Sequence, residues 1–219
     1  MTTPQTLLDK PWARHRIGAG GDGADLIAID RVCLHERTGS VALQSLKEAG
    51  HEGQSPERVF SIMDHIVSFR AGRGDDESRS PGGDVFITET RKMALEAGIN
   101  LIDTNDPRQG IVHVIAPELG IAIPGVSMIC PDSHTCSLGA LGALAWGVGS
   151  SEAEHALATR TLRVARPQTM RVNFTGALQP GVSAKDMILY LIATHGAAGG
   201  AGYAIEFSGA VVSDLDIEA

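Results

Sequence analysis

Aromatic side chains are scarce in this sequence: two Trp, two Tyr and five Phe make up 4% of the chain. With 26 Gly and abundant Ala, that scarcity favours close packing of helix on sheet over an aromatic-rich binding surface. Positive charge is also short, 18 Lys and Arg against 26 Asp and Glu, and no basic run occurs. Phosphate binding needs a clustered positive surface, so no nucleic-acid partner is expected. No apolar run reaches the roughly 18 to 20 residues that span a bilayer. The start, MTTPQTLLDKPWARHR, lacks the apolar core of a signal peptide, so no membrane partner is expected either. The three cysteines, Cys33, Cys130 and Cys136, are an odd count that implies no disulfide framework, and a reducing cytoplasm is the expected compartment. H-x-x-x-H and C-x-x-C are missing, and no Gly-x-Gly-x-x-Gly or P-loop pattern stands where a nucleotide would need it, which leaves nucleotide and zinc sites without motif support.

What the chain does have is 219 residues with 43% apolar content, enough for a real core, and short apolar runs that alternate with helical patterns. DLIAIDRVCL, RVFSIMDH, INLID, GIVHVI, GIAIPG, VSMIC, MRVNFTG and YAIEFSG read as strands. GSVALQSLKEAG reads as a helix stopping at Gly50, DVFITETRKMALEAG as one stopping at Gly98, and SAKDMILYLIATHG as one capped by Ser183 and stopped by Gly196. Ser151 and Glu154 have the spacing of a capping box ahead of a further helix. RAGRGDDESRSPGG is an exposed polar loop, and GAAGGAG a turn. The alternation predicts an α/β fold, a three-layer α/β/α domain with a mixed, largely parallel sheet. Ligands of such sheets sit at the carboxyl ends of strands.

Titratable groups recur at those ends: His35 after DRVCL, Asp64 and His65 closing VFSIMDH, His113 within GIVHVI, Asp132, Ser133 and His134 after VSMIC, and Glu206 within YAIEFSG. Singly, each has an ordinary reading. His113 would be a core histidine, Asp64–His65 a turn, Glu206 a solvated position, and Cys130 a small buried hydrophobe. Together they are costly to bury without use. Asp–His pairing fixes an imidazole's tautomer and raises its basicity, which suits proton transfer. Ser133 and His134 are adjacent on an extended segment and point to opposite faces, so they do not serve each other. A serine alkoxide acting as base, or a hydroxyl binding a carboxylate, both remain open.

DRVCLHERTG, SIMDHIVS, QGIVHVIAPELGIAIPG, CPDSHTCSLGALGALAWGVGSSEAEHALATRTL and AGYAIEFSG together resemble the aconitase superfamily, from about residue 6 onward, and most of all its isopropylmalate-isomerising branch. The resemblance implies a hydro-lyase that isomerises 2-isopropylmalate to 3-isopropylmalate in leucine biosynthesis, by removing water and returning it. It implies a [4Fe–4S] cluster, a small hydroxy-dicarboxylate substrate and a small swivel-domain subunit. By the same resemblance Asp64–His65 and Asp132–His113 are acid–histidine pairs, and Ser133 is the base and a substrate contact. His35 is substrate-binding, while His134 and Glu206 are further active-site residues. Cys33, Cys130 and Cys136 do not match the cluster-ligand positions, so no metal ligand is assigned within this chain. No repeat or linker divides the sequence, and residues 1–219 are read as the N-terminal part of such a large subunit, without the cluster-cysteine segments and inactive alone. The alternatives are a non-catalytic remnant of the family, or a related hydratase acting on homoaconitate, citraconate or dimethylmalate. Arg31, Arg70 and Arg108 are candidate cations for an anionic substrate.

Overall fold

The computed structural model describes residues 4–217 and 219. The chain forms two compact units, Met1–Val164 and Ala165–Ala219. The first contains α1 (Asp9–His15), β1 (Arg16–Gly21), β2 (Ala24–Ala28), β3 (Arg31–His35), α2 (Glu36–Glu48), β4 (Val59–Ile62), α3 (Gly83–Glu96), β5 (Asn100–Ile102), α4 (Val112–Glu118), β6 (Ser127–Cys130), β7 (Leu144–Gly147) and α5 (Ser150–Thr159). β8 (Thr161–Ala165) closes it, followed in the second unit by β9 (Gln168–Asn173), α6 (Ala184–His195), β10 (Tyr203–Ser208) and α7 (Ala210–Ser213).

Five strands form the central sheet of the first unit in the order β5-β4-β3-β6-β7, parallel throughout. β1 and β2 pair antiparallel and form a separate small sheet with β8. The apolar runs are short because each strand is only three to five residues long, and the inner strands β3, β4 and β6 are buried on both faces, as parallel strands require. On one face Cys33, Ile62, Ile102, Met128 and Cys130 pack with Val112, Ile115 and Ala116 of α4 and with Leu138. On the other, α2 lies against α3 and α5. Gly39 allows that approach: a Cβ there would stand 3.3 Å from Leu34 Cβ and 3.4 Å from Thr90 Cγ2.

Four local expectations are corrected. GIVHVI is not a strand: Val112, Ile115 and Ala116 are the buried residues, the i, i+3, i+4 spacing of the helix α4, which a short apolar run conceals. GIAIPG forms no strand; Ile121 and Ala122 are buried on a turn that Gly125, at φ 80°, completes. The cap of α5 comes two residues earlier than Ser151–Glu154 suggests, because Glu152 Oε2 accepts the Gly149 N–H at 2.9 Å. DLIAIDRVCL is two strands, split at Ile29 and Asp30. The remaining helices stop at Gly50, Gly98 and Gly196 as their sequences require. In the second unit β9 and β10 pair in parallel, with Glu206 opposite Arg171.

Candidate functional site: an acid–histidine–acid bridge

β4, β3 and β6 are neighbours and parallel, so their carboxyl ends share one edge of the sheet. β3 ends on His35, β4 is followed by Asp64 and His65, and β6 is followed by Asp132. Segments 30, 67 and 97 residues apart in sequence therefore deliver His35, His65 and Asp132 to one place, the position where ligands of α/β sheets bind.

His65 bridges two carboxylates. Its Nδ1 donates to Asp64 Oδ1 at 2.6 Å and its Nε2 to Asp132 Oδ2 at 2.7 Å. An imidazole that donates from both nitrogens is an imidazolium. The hydrogen bond to Asp64 is the chief reason that His65 holds its proton above the ordinary histidine range, with burial opposing and Asp132 assisting. Asp64 is fixed in turn: its Oδ2 accepts the Val112 N–H at 2.7 Å, at the start of α4. Asp132 opens a nine-residue 3-10 helix, Ser133–Leu141, whose tight turn lets Oδ1 accept both the His134 N–H at 2.7 Å and His134 Nδ1 at 3.0 Å. Burial disfavours the Asp132 carboxylate, but the His134 hydrogen bonds, with His113 and His65 nearby, outweigh it and hold its carboxyl well below the usual range. Gly147 of β7 makes room for this turn, since a Cβ there would stand 2.5 Å from the Asp132 carbonyl oxygen.

Two further histidines are kept neutral. His35 stacks on His65 with ring centroids 3.6 Å apart and planes 9° from parallel. Its Nε2 donates to the Pro131 carbonyl at 3.0 Å, and its buried Nδ1 has no hydrogen-bond partner. Burial lowers its pKa, and the His65 charge lowers it further. His113, on the helix α4, brings Nε2 to 3.5 Å from Asp132 Oδ2, without hydrogen-bond geometry, so both its ring nitrogens are buried and unpartnered. Burial likewise lowers its pKa despite the nearby carboxylate. Two neutral imidazoles thus flank one imidazolium.

Asp64, His65, His35, His113, Asp132 and His134 are all drawn into this cluster. Ser133 is exposed at the start of the 3-10 helix, and His134 is 82% exposed. Glu206 belongs to the second unit, half-buried on β10. Of the candidate cations, Arg31 lies at the amino end of β3, opposite His35, with Nη1 on the Asp30 carbonyl. Arg70 faces Glu77 at 3.6 Å and Arg108 pairs with Asp106 at 2.6 Å. Sequence reasoning missed Glu36, which is fully buried beneath the bridge. An acid in the first turn of a helix reads as a solvated charge, and only the adjacent His35 hinted otherwise. At the sheet's amino end, His15 bonds Asp30 at 2.7 Å and the Pro11 carbonyl, a buried histidine with both nitrogens satisfied.

The thiols do not suit an iron–sulfur cluster. Cys33 and Cys130 sit in the apolar core on neighbouring strands, where burial pushes both thiols far up, and Cys136 is exposed. Cluster ligands are thiolates preorganised around the metal, and no such group occurs among the described residues. His35, Glu36 and His65 lie close enough to share a cation. Both Glu36 oxygens and both His65 nitrogens are already committed to hydrogen bonds. No helix among the described residues is long and apolar enough to cross a membrane.

An α/β protein with paired acids and histidines at the carboxyl edge of a parallel sheet is the class that these features define. Residues 9–219 match the model of the aconitase family (aconitate hydratase), and the chain belongs to that family. It is 46% identical over 217 residues to the 3-isopropylmalate dehydratase large subunit 1 of Bradyrhizobium diazoefficiens. The match covers 99% of this chain and 45% of that relative, so the chain spans about half its length.

Proposed function

We propose that this chain is the part of an isopropylmalate isomerase large subunit that handles protons during dehydration and rehydration. The observation that carries the reading is the His65 imidazolium held between Asp64 and Asp132. Moving a hydroxyl to the neighbouring carbon requires a proton to leave carbon, a protonated hydroxyl to leave as water, and both steps to reverse with the positions exchanged. His65, charged and sited at the sheet edge, is the proton source of the bridge: with both N–H groups on carboxylates, it passes its proton to the departing hydroxyl through Asp132 and recovers it by the same route on rehydration. The two carboxylates stabilise the charged form and hold the ring's direction. Ser133, exposed beside Asp132, is the proposed base at carbon and a contact to the substrate. His35 forms the floor under His65, while His113 and His134 flank Asp132. Glu206, on β10, is the proposed further acid.

The [4Fe–4S] cluster that the family implies would supply electrophilic activation of the hydroxyl, with thiolates from outside the described residues. A small subunit is the proposed partner, since the relative is named a large subunit. Three unpaired thiols suit a cytoplasmic setting.

The test combines the purified chain with the separately produced remainder of a large subunit, a small subunit, iron and sulfide. Isomerisation of 2-isopropylmalate is assayed beside homoaconitate, citraconate, dimethylmalate and citrate. Only the complete mixture is expected to turn over 2-isopropylmalate, and His65→Asn in this chain to lower the rate by about 10²–10⁴-fold. Turnover by this chain alone would overturn the division of labour. Preference for another acid would reassign the substrate, and a silent complete mixture would make the chain a non-catalytic remnant.

A further inference from the structure

Glu36 is 0% exposed, and a buried carboxylate is costly unless every lone pair is used. Here the two oxygens divide the work. Oε2 accepts the Asp64 N–H at 2.9 Å and Oε1 accepts the Ile66 N–H. Those two amides flank His65 in the chain. A carboxylate that grips both fixes the backbone on each side of His65, and with it the direction in which the imidazole leaves the main chain. A carboxylate is suited to this because it offers two acceptors and no donor, whereas an amide offers one acceptor and a conflicting N–H₂.

Glu36 is itself held. It lies in the first turn of α2, where the helix N-terminus favours negative charge. Its carbonyl accepts the Thr90 hydroxyl of α3 at 3.0 Å, and the same hydroxyl accepts the Ser40 N–H at 3.2 Å. The side chain thus connects the start of one helix, itself anchored to a second, with the loop that carries the bridge. We infer that Glu36 is a positioning residue: it sets the Asp64–His65 loop so that His65 reaches Asp132 from the adjoining strand end. The inference rests on the proposed function only in treating the bridge as catalytic machinery, and its readouts need no substrate. A failed isomerase assay would leave it standing, and its own failure would leave the assay untouched.

The test is histidine-ring nitrogen NMR with amide hydrogen exchange on the full chain, comparing Glu36→Gln, Glu36→Asp and Thr90→Val. The groups facing His65 are Asp64, Asp132, His35 and Glu36, with His113 across Asp132; none but Glu36 is altered in the first two variants. In Glu36→Gln the His65 titration is expected to move down toward the ordinary histidine value of about 6.5. Exchange at the Ile66 amide is expected to quicken by about tenfold or more. Glu36→Asp keeps the charge but withdraws it by one methylene, and should produce the same changes in smaller measure. Thr90→Val, which loosens the helix pair but leaves both Glu36 oxygens on their amides, should lower the melting temperature and move His65 less than Glu36→Gln does. A folded Glu36→Gln chain with wild-type His65 titration and amide protection would overturn the inference. Should neither Glu36 variant fold, exchange in the unsubstituted chain decides: open-loop rates at Asp64 and Ile66 would overturn it, and strand-like protection would support it.

Discussion

The five-stranded sheet of the first unit and the two-stranded sheet of the second are both parallel, yet they differ in how much of their apolar surface is covered. In the first, the inner strands β3, β4 and β6 bury both faces, with Val32, Leu34, Ile62, Met128 and Ile129 all 0% exposed. In the second, Tyr203, Ile205 and Phe207 line one face of β10 and remain 36–44% exposed. The helix α6 carries the run MILYLI, of which Met187 alone is buried while Tyr190 is 73% exposed. Parallel sheets and helices that are apolar all round are ordinarily enclosed. The contrast teaches that the bridge is built where the strands are already enclosed.

The largest effects should separate the two units. Met128→Ala or Ile62→Ala removes side chains that are completely buried, and is expected to cost about 2–5 kcal/mol in urea denaturation. Leu189→Ser on α6, where the side chain is half exposed, should change stability by about 0.5 kcal/mol or less. Equal losses at both places would break the comparison. Amide exchange gives the same contrast without mutation: β3, β4 and β6 should exchange only on global opening, and β9 and β10 well before it.

Next in size is Gly147→Ala. The added methyl meets the Asp132 carbonyl, so a loss of about 1–3 kcal/mol is expected in thermal melts. His65 should also titrate lower, because its acceptor is displaced. Asp132→Asn sharpens the point through pH. The folded pKa of His65 is raised, so its stabilisation is complete below the unfolded value of about 6.5 and is lost as pH rises through the folded value. Those of His35 and His113 are lowered, so their contribution is present above about 6.5 and lost as pH falls through their folded values. Wild-type urea midpoints should therefore fall on both sides of the near-neutral range, and Asp132→Asn should flatten the alkaline side. An unchanged alkaline slope would contradict the bridge. The smallest effect is chemical: a thiol reagent should label Cys136 in the native chain, and Cys33 and Cys130 only after unfolding.

The layered α/β fold and the polar strand ends were legible because both follow from local pattern: short apolar runs, glycine stops, and titratable residues just beyond them. Three features were not. His113 was placed on a strand because GIVHVI is apolar nearly throughout, and only the burial of Val112, Ile115 and Ala116 reveals the helical period. Glu36 was passed over because burial of a carboxylate depends on two amides from a loop 28 and 30 residues away in sequence. The uneven enclosure of the two sheets was hidden because β10 and β6 carry similar apolar content, and exposure is decided by what packs on them.

Histidine-ring NMR titration of the unsubstituted chain tests the bridge most directly. The account predicts that His65 titrates above the ordinary histidine value while the stacked His35 titrates below it, with both His65 nitrogens protonated at neutral pH. Two rings titrating together near about 6.5, or a neutral His65 at pH 7, would contradict it.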